Sequence, residues 1–248
     1  MRTLKLTLAY NGTQYAGWQV QAPGRTTVQE VLERAIAAVT GETVRAMASG
    51  RTDAGVHALG QVASFRTQSA LPAEVFVRAL NAHLPDDVAV LDARDVPDDF
   101  HATLSADKKR YRYLIHNHPI RDPFFHCRAW HYPAHLEDGA MHRAAQSLLG
   151  RHDFKSFETS GSERQTSVRT IFDILVRRDA ADARLVVLEV EADGFLYNMV
   201  RSIVGTLVQV GRGAREESWV AEVLAACDRR KAGKTAPPQG LYLVRVDY

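Results

Sequence analysis

Two hydrophobic periodicities alternate along this chain, and they do so twice over. Leu4, Leu6 and Leu8 alternate with polar neighbours as a half-buried strand requires, and Val28, Leu32, Ala35, Ile36 and Val39 then recur at helical spacing. Thr27 followed by Glu30 has the capping-box pattern that starts a helix, and Gly41 is the residue type that stops one. Short strands are expected over 43–48 and 60–65, a helix over 72–80 and a strand near 88–94. The order then begins again. A strand is expected over 109–116 and a helix over 135–149 ending at Gly150. A hairpin of 168–177 and 185–191 follows, then an apolar helix over 195–210, a short helix over 218–226 and a last strand over 241–246.

Such a chain must pair strands non-locally and cover them with amphipathic helices. The expected fold is α+β, with two similar ferredoxin-like or RRM-like halves, residues 1–105 and 106–248. They form a central antiparallel sheet with helices on one side and a cleft between the halves. A length of 248 residues suffices for a full core, and 46% apolar with 24% charged residues is ordinary globular composition. The two cysteines, Cys127 and Cys227, have no metal-like spacing, which leads us to expect a reducing, cytoplasmic setting. No apolar run approaches bilayer-spanning length, so no membrane partner is expected. Net charge is only +2, but basic residues cluster at 108–112, at Arg177 and Arg178, and at 229–234. Clusters, rather than totals, set the field felt within a Debye length of about 8–10 Å, although each is equally well read as a solvated face.

The chemistry concentrates in Ser49-Gly50-Arg51-Thr52-Asp53-Ala54-Gly55-Val56-His57. It places one carboxylate, Asp53, in a loop framed by two glycines, with the Arg51 guanidinium two residues earlier and an apolar strand after it. On spacing alone this is either a ligand-facing carboxylate or a capped tight turn with an arginine in solvent. His57 and Gln61 lie beside the loop, but a loop histidine is more often a satisfied turn residue, so both are left out of the catalytic set.

The segment from Gly50 to Ala58 resembles the signature of the TruA family of tRNA pseudouridine synthases. Four further blocks resemble that family in the same order: Tyr10-Asn11-Gly12-Thr13 with Gly17-Trp18-Gln19; Lys109 to Tyr113; Gly194 to Arg201; and Ala236 to Leu241. The resemblance implies two similar domains, a homodimer, and tRNA as substrate, modified at uridines 38, 39 and 40 of the anticodon stem-loop. It implies Asp53 as nucleophile, Tyr111 as the active-site tyrosine, and Arg201 as the cation beside Asp53. Leu241 falls in the segment that lines the uracil pocket.

Pseudouridylation detaches uracil from C1′ and rejoins it through C5 without net redox change, so no cofactor and no metal are expected. Asp53 has three routes open: addition to C6, attack on C1′, or abstraction of the C2′ proton. Burial raises a carboxylate's pKa above about 3.9 and a nearby guanidinium lowers it, so a sheltered attacking carboxylate needs a cationic partner. Arg201, on an apolar helix, is either that partner or a snorkelling surface residue. Tyr111 and Tyr113 share one strand face; the first is expected to stack on the base and the second to be a core tyrosine. Arg51 is expected to contact phosphate or fill the space a flipped base leaves.

The main rival reading is a non-catalytic RNA-binding protein, against which stands a carboxylate facing an anionic polymer. A metal-dependent nuclease built on His116, His118, His126, His131 and His135 lacks an accompanying acidic cluster. A two-aspartate hydrolase using Asp53 and Asp193 lacks matching flanks, and Asp193 reads as a turn.

Overall fold

The computed structural model describes residues 1–21, 24–159 and 166–248. The chain divides into two compact units, residues 1–107 with 242–248, and residues 108–241.

The first unit opens with β1 (Arg2–Tyr10), whose Leu4, Leu6 and Leu8 are fully buried on one face. Helix α1 (Val28–Thr40) starts where the capping box predicts: the Thr27 side chain accepts from the Glu30 N–H at 3.3 Å, and Gly41 closes the helix in the left-handed region at φ 74°. Next come β2 (Met47–Ala48), β3 (His57–Thr67), α2 (Ala73–Asn81) and β4 (Val88–Val96). Strand β1 lies between β3 and β4, antiparallel to both, and its register against β3 slips between Leu8 and Tyr10. The strand expected over 43–48 shrinks to two residues. Side chains take the backbone donors that a partner strand would have taken: Glu33 accepts from Ala46 N–H and Glu42 from Gln68 N–H.

The second unit begins with β5 (Lys108–Asn117) and the short β6 (Trp130–Tyr132), which pairs with it in parallel. Helix α3 (Asp138–Ala145) starts three residues later than the periodicity predicts. Asn117 accounts for the delay: its Nδ2 donates to the carbonyls of Tyr132 and Ala134, and its Oδ1 accepts from Leu136 N–H at 3.1 Å, holding that stretch out of the helix. Strands β7 (Gly150–Asp153), β8 (Val168–Arg178) and β9 (Leu185–Ala192) follow, in the antiparallel order β5-β9-β8-β7. Helix α4 (Met199–Gly211) also starts late, because Asn198 is left-handed at φ 62°. It is buried on nearly every side, and Gly205 lets the backbone at Lys234 cross so closely that any Cβ would collide with it. Helix α5 (Trp219–Ala226) completes the unit.

Strand β10 (Leu241–Asp247) then returns to the first unit, where Tyr242 and Leu243 pair in parallel with His57 and Ala58 of β3. The α+β class is as expected, but the β3–β10 and β5–β6 pairings are parallel where antiparallel strands were expected. No helix among the described residues is long and apolar enough to cross a membrane.

Candidate active site

Asp53 sits just before the Ala54–Gly55 turn that leads into β3, half-buried, with Arg51 exposed and Thr52 buried immediately ahead of it. The turn closes through Val56 N–H donating to the Asp53 carbonyl at 3.1 Å, with Gly55 left-handed at φ 76°. The N-terminal block holds the loop in place. Trp18 N–H donates to the Thr52 carbonyl at 3.0 Å and Gly55 N–H to the Tyr15 carbonyl at 3.4 Å. Gly12 N–H donates to His57 Nδ1 at 3.0 Å, and Tyr10 and Thr52 share a hydroxyl hydrogen bond of 2.8 Å. A Cβ on Gly17 would lie 2.6 Å from the Thr52 carbonyl oxygen, and one on Gly12 would overlap the Val56 carbonyl. Glycine at both positions therefore lets this block lie directly against the loop.

Beneath it, Gln61 bonds Ser49, the Gly50 carbonyl and its own strand. His57 stacks on Tyr242 with ring centroids 4.6 Å apart. His57 and Gln61 are both buried, and both matter to the loop's position. So does Tyr10, which sequence reasoning quoted only as part of a block; its spacing gave no sign of a hydrogen bond 42 residues away. Burial pushes the Tyr10 phenol up to about 12, against the hydrogen bonds to Thr52 and Gln61, which pull it down.

The other candidates belong to the second unit. Tyr111 lies in β5, only 8% exposed, with its ring edge-on to Phe195 at 4.9 Å. Tyr113, on the same face, is a satisfied core tyrosine: its hydroxyl donates to the Pro237 carbonyl at 2.7 Å, and burial drives its pKa far up. Arg201, in the first turn of α4, is half-buried and fixed from two directions. Its Nε donates to the Ala236 carbonyl at 2.8 Å and its Nη1 to Asn198 Oδ1 at 2.6 Å. Leu241 is 6% exposed, at the end of the same 236–241 segment. That segment packs under Tyr113, since a Cβ on Gly240 would lie 2.6 Å from its ring.

The basic clusters are less available than their sequence suggests. Arg110 reaches Asp173 at 2.8 Å, Glu191 at 3.1 Å and Glu189 at 3.4 Å, while Arg112 reaches Glu189 at 2.7 Å. Arg178 pairs with Asp138 at 3.3 Å and Arg230 with Asp228 at 2.8 Å. The partners of Arg110 lie 63 to 81 residues away in sequence, so nothing local to the 108–112 run reveals them. Of the histidines in the nuclease reading, the ring of His116 lies 5.9 Å from that of His118 and 5.5 Å from that of His131, but among the described residues no three His, Cys, Asp or Glu side chains are grouped to hold a metal ion. Asp193 is a turn residue, its Oδ1 accepting from Thr170 N–H at 2.9 Å.

A family profile described as tRNA pseudouridine synthase matches residues 7–104 and 144–248. The chain is 48% identical over 250 residues to tRNA pseudouridine synthase A of Thermoanaerobacter sp. (strain X514), covering 100% of both chains. It is 47% identical over 248 residues to that of Acetivibrio thermocellus, again over 100% of both. The chain belongs to the tRNA pseudouridine synthase family. The synthase is an isomerase that converts uridine in tRNA to pseudouridine, and the reading as a non-catalytic RNA-binding protein falls away. A solved structure titled "Crystal Structure of a Cbf5-Nop10-Gar1 Complex" is similar to the synthase at a TM-score of 0.38 and 14% identity, over 96% of this chain and 57% of that one.

Proposed function

We propose that this enzyme isomerises uridines 38, 39 and 40 in the anticodon stem-loop of tRNA, with Asp53 as the attacking carboxylate and Arg201 as its cationic partner. The observation that carries the reading is the fixation of the Asp53 turn. Three backbone hydrogen bonds and the Tyr10–Thr52 hydroxyl pair anchor it, yet the carboxylate itself is not sealed in the core. A nucleophile that must meet a single atom of a flipped base needs such fixation, because preorganisation removes the cost of orienting it during reaction.

Arg201 suits its role because a guanidinium anchored by two hydrogen bonds keeps donors in fixed directions for a carboxylate. Tyr111, braced by Phe195, offers a ring on which uracil stacks, and Leu241 an apolar wall that helps exclude water. Arg51, exposed beside the turn, is free to meet phosphate or to occupy the place the flipped base leaves. In functional terms residues 1–105 supply the carboxylate, and residues 106–248 the tyrosine strand and the arginine helix. The proposal also takes the working enzyme to be a homodimer, as the family resemblance implies, in the cytoplasmic setting that its two unpaired cysteines suit; sedimentation of the purified protein checks the dimer.

Unmodified tRNA carrying C5-tritiated uridine tests the chemistry. Wild-type protein should release tritium to solvent with no added cofactor or metal. Asp53→Ala should release none while binding tRNA within about threefold of wild type, since phosphate contacts dominate affinity. Tritium release by Asp53→Ala, or loss of binding in step with activity, overturns the assignment.

A further inference from the structure

At the end of β5, His116 is 1% exposed, and neither of its ring nitrogens has a hydrogen-bond partner among the described residues. A buried polar group left this way costs about 1–3 kcal/mol. The neighbouring histidines do not share the problem: His118 Nδ1 lies 3.0 Å from the Ile120 carbonyl oxygen and His131 Nε2 lies 2.8 Å from the His118 carbonyl oxygen. His116 borders a cavity of about 480 Å³, within the size range of small-molecule sites. Phe125, Ala129, His131, Arg121 and Gln239 also line it. The Phe125 ring lies 5.2 Å from that of His116, inclined by 31°, so the two rings pack together as one aromatic wall of the cavity. Arg121 is exposed and has no ion pair among the described residues, whereas Asp122 beside it pairs with Arg184 at 3.2 Å.

The features define a ligand. A neutral imidazole presents one donor and one acceptor, which suits a planar group carrying both on one edge. Burial, and after it the neighbouring His131, hold His116 below the usual histidine range and hence neutral near pH 7. An aromatic wall accepts a flat ring against its face, and a guanidinium in the lining accepts an anion. A planar hydrogen-bonding ring tethered to an anion is a nucleotide. Splayed-out bases of RNA are recognised in this manner, by stacking and by hydrogen bonds to their edges.

We propose that this cavity receives a base of the tRNA other than the one being isomerised, with Arg121 on its phosphate and His116 on its edge. The proposal rests on tRNA being the substrate, and none of the lining residues belongs to the set assigned to the chemistry. It gives the enzyme a second, non-reacting grip on its substrate, so its loss should fall on KM rather than on kcat.

Two variants approach the cavity from opposite sides. Ala129→Leu fills it from within, and Arg121→Glu reverses the charge at its rim without touching the core. Each should raise KM for unmodified tRNA about tenfold, as loss of one stacked and hydrogen-bonded base predicts. A benzophenone amino acid in place of Phe124, whose side chain is 85% exposed next to the cavity, should crosslink to a nucleotide other than 38, 39 or 40. The crosslink should persist in Asp53→Ala, which separates this proposal from the assignment of the nucleophile. Unchanged KM in both variants overturns it. So does a crosslink only to a second protein chain, with sedimentation of the variants shifted toward monomer, because the cavity then holds a protein side chain.

Discussion

Gln61 Nε2 donates to the carbonyl oxygen of Gly50 at 2.9 Å, while Gln61 Oε1 accepts from Ser49 Oγ at 2.7 Å. One fully buried amide thus ties the start of the Asp53 loop to the strand that follows it. Leucine has a similar volume but satisfies none of these groups. Gln61→Leu should cost about 2 kcal/mol of stability through the polar atoms it strands. The larger effect should be on turnover, with kcat down about a hundredfold, because small misplacements of a reacting group are that costly. Single-turnover kinetics beside a tRNA binding isotherm checks this: binding should hold while the chemical step slows. A loss shared equally by both would make Gln61 a plain core residue.

Tyr10 caps the same network from the other side, its hydroxyl 2.8 Å from Thr52 Oγ1. Tyr10→Phe keeps the ring in place and should cost about 1 kcal/mol near neutral pH. The alkaline behaviour is more diagnostic. The phenol's pKa is pushed up to about 12 from 10.0 by burial. A group whose pKa is higher folded than unfolded contributes its full stability below pH 10 and loses it as pH climbs through about 12. Wild type should lose about 2–3 kcal/mol from this residue over that window, and Tyr10→Phe should lose none of it. Urea denaturation between pH 9 and 12 reads the difference, since buried Tyr113 is common to both proteins.

How much of this was legible in advance depended on how local each determinant was. Helix α1 was readable to the residue, because Thr27, Glu30 and Gly41 signal its ends within a few positions of them. Helices α3 and α4 were readable in kind but not at their starts. Asn117 holds back the first by bonding Leu136 from 19 residues upstream, and a left-handed Asn198 delays the second. The strands β6 and β7 are three and four residues long, too short to show a period. The return of β10 alongside β3 depends on pairing across nearly the whole sequence. At the site, the Asp53 loop stood out through its glycines and its family likeness. The residues that hold it, Tyr10 and Gln61, are an aromatic and an amide at strand positions, with nothing local to distinguish them from ordinary core.

Gly12 was part of a recognised block, and its contact gives that membership a cause. Its N–H donates to His57 Nδ1, and a side chain there would overlap the Val56 carbonyl. Gly12→Ala must therefore push the 52–57 turn away from β1. We expect folding to survive with a modest fall in Tm, because the core under β1 is untouched, while tritium release drops about a hundredfold. Gly41→Ala offers a control, since φ at that position is 74° but nothing lies within 4 Å of an added Cβ. It should cost about 1 kcal/mol of stability and leave the rate unchanged. Equal rates in the two variants would show that the turn tolerates displacement.

Arg110 decides between two uses of positive charge. By sequence it belongs to the 108–112 basic run, which reads equally as an RNA-facing cluster or as a solvated face. In the fold it sits among Asp173, Glu189 and Glu191 with only 18% of its side chain exposed. Removing it takes the nearest cation from Asp173 and leaves Glu189 to Arg112 at 2.7 Å and Glu191 to Lys108 at 3.8 Å, and breaking a sheltered ion network in this way costs about 3 kcal/mol. Arg110→Gln should therefore lower stability, and more so at low salt, where the carboxylates repel over a longer range. Its tRNA affinity should change with salt just as wild type does. Were Arg110 a phosphate contact, the slope of log K against log salt would flatten by about 0.7–0.9. Filter binding of the variant between low and moderate salt distinguishes the two, and a flattened slope with unchanged stability would return Arg110 to the RNA-binding surface.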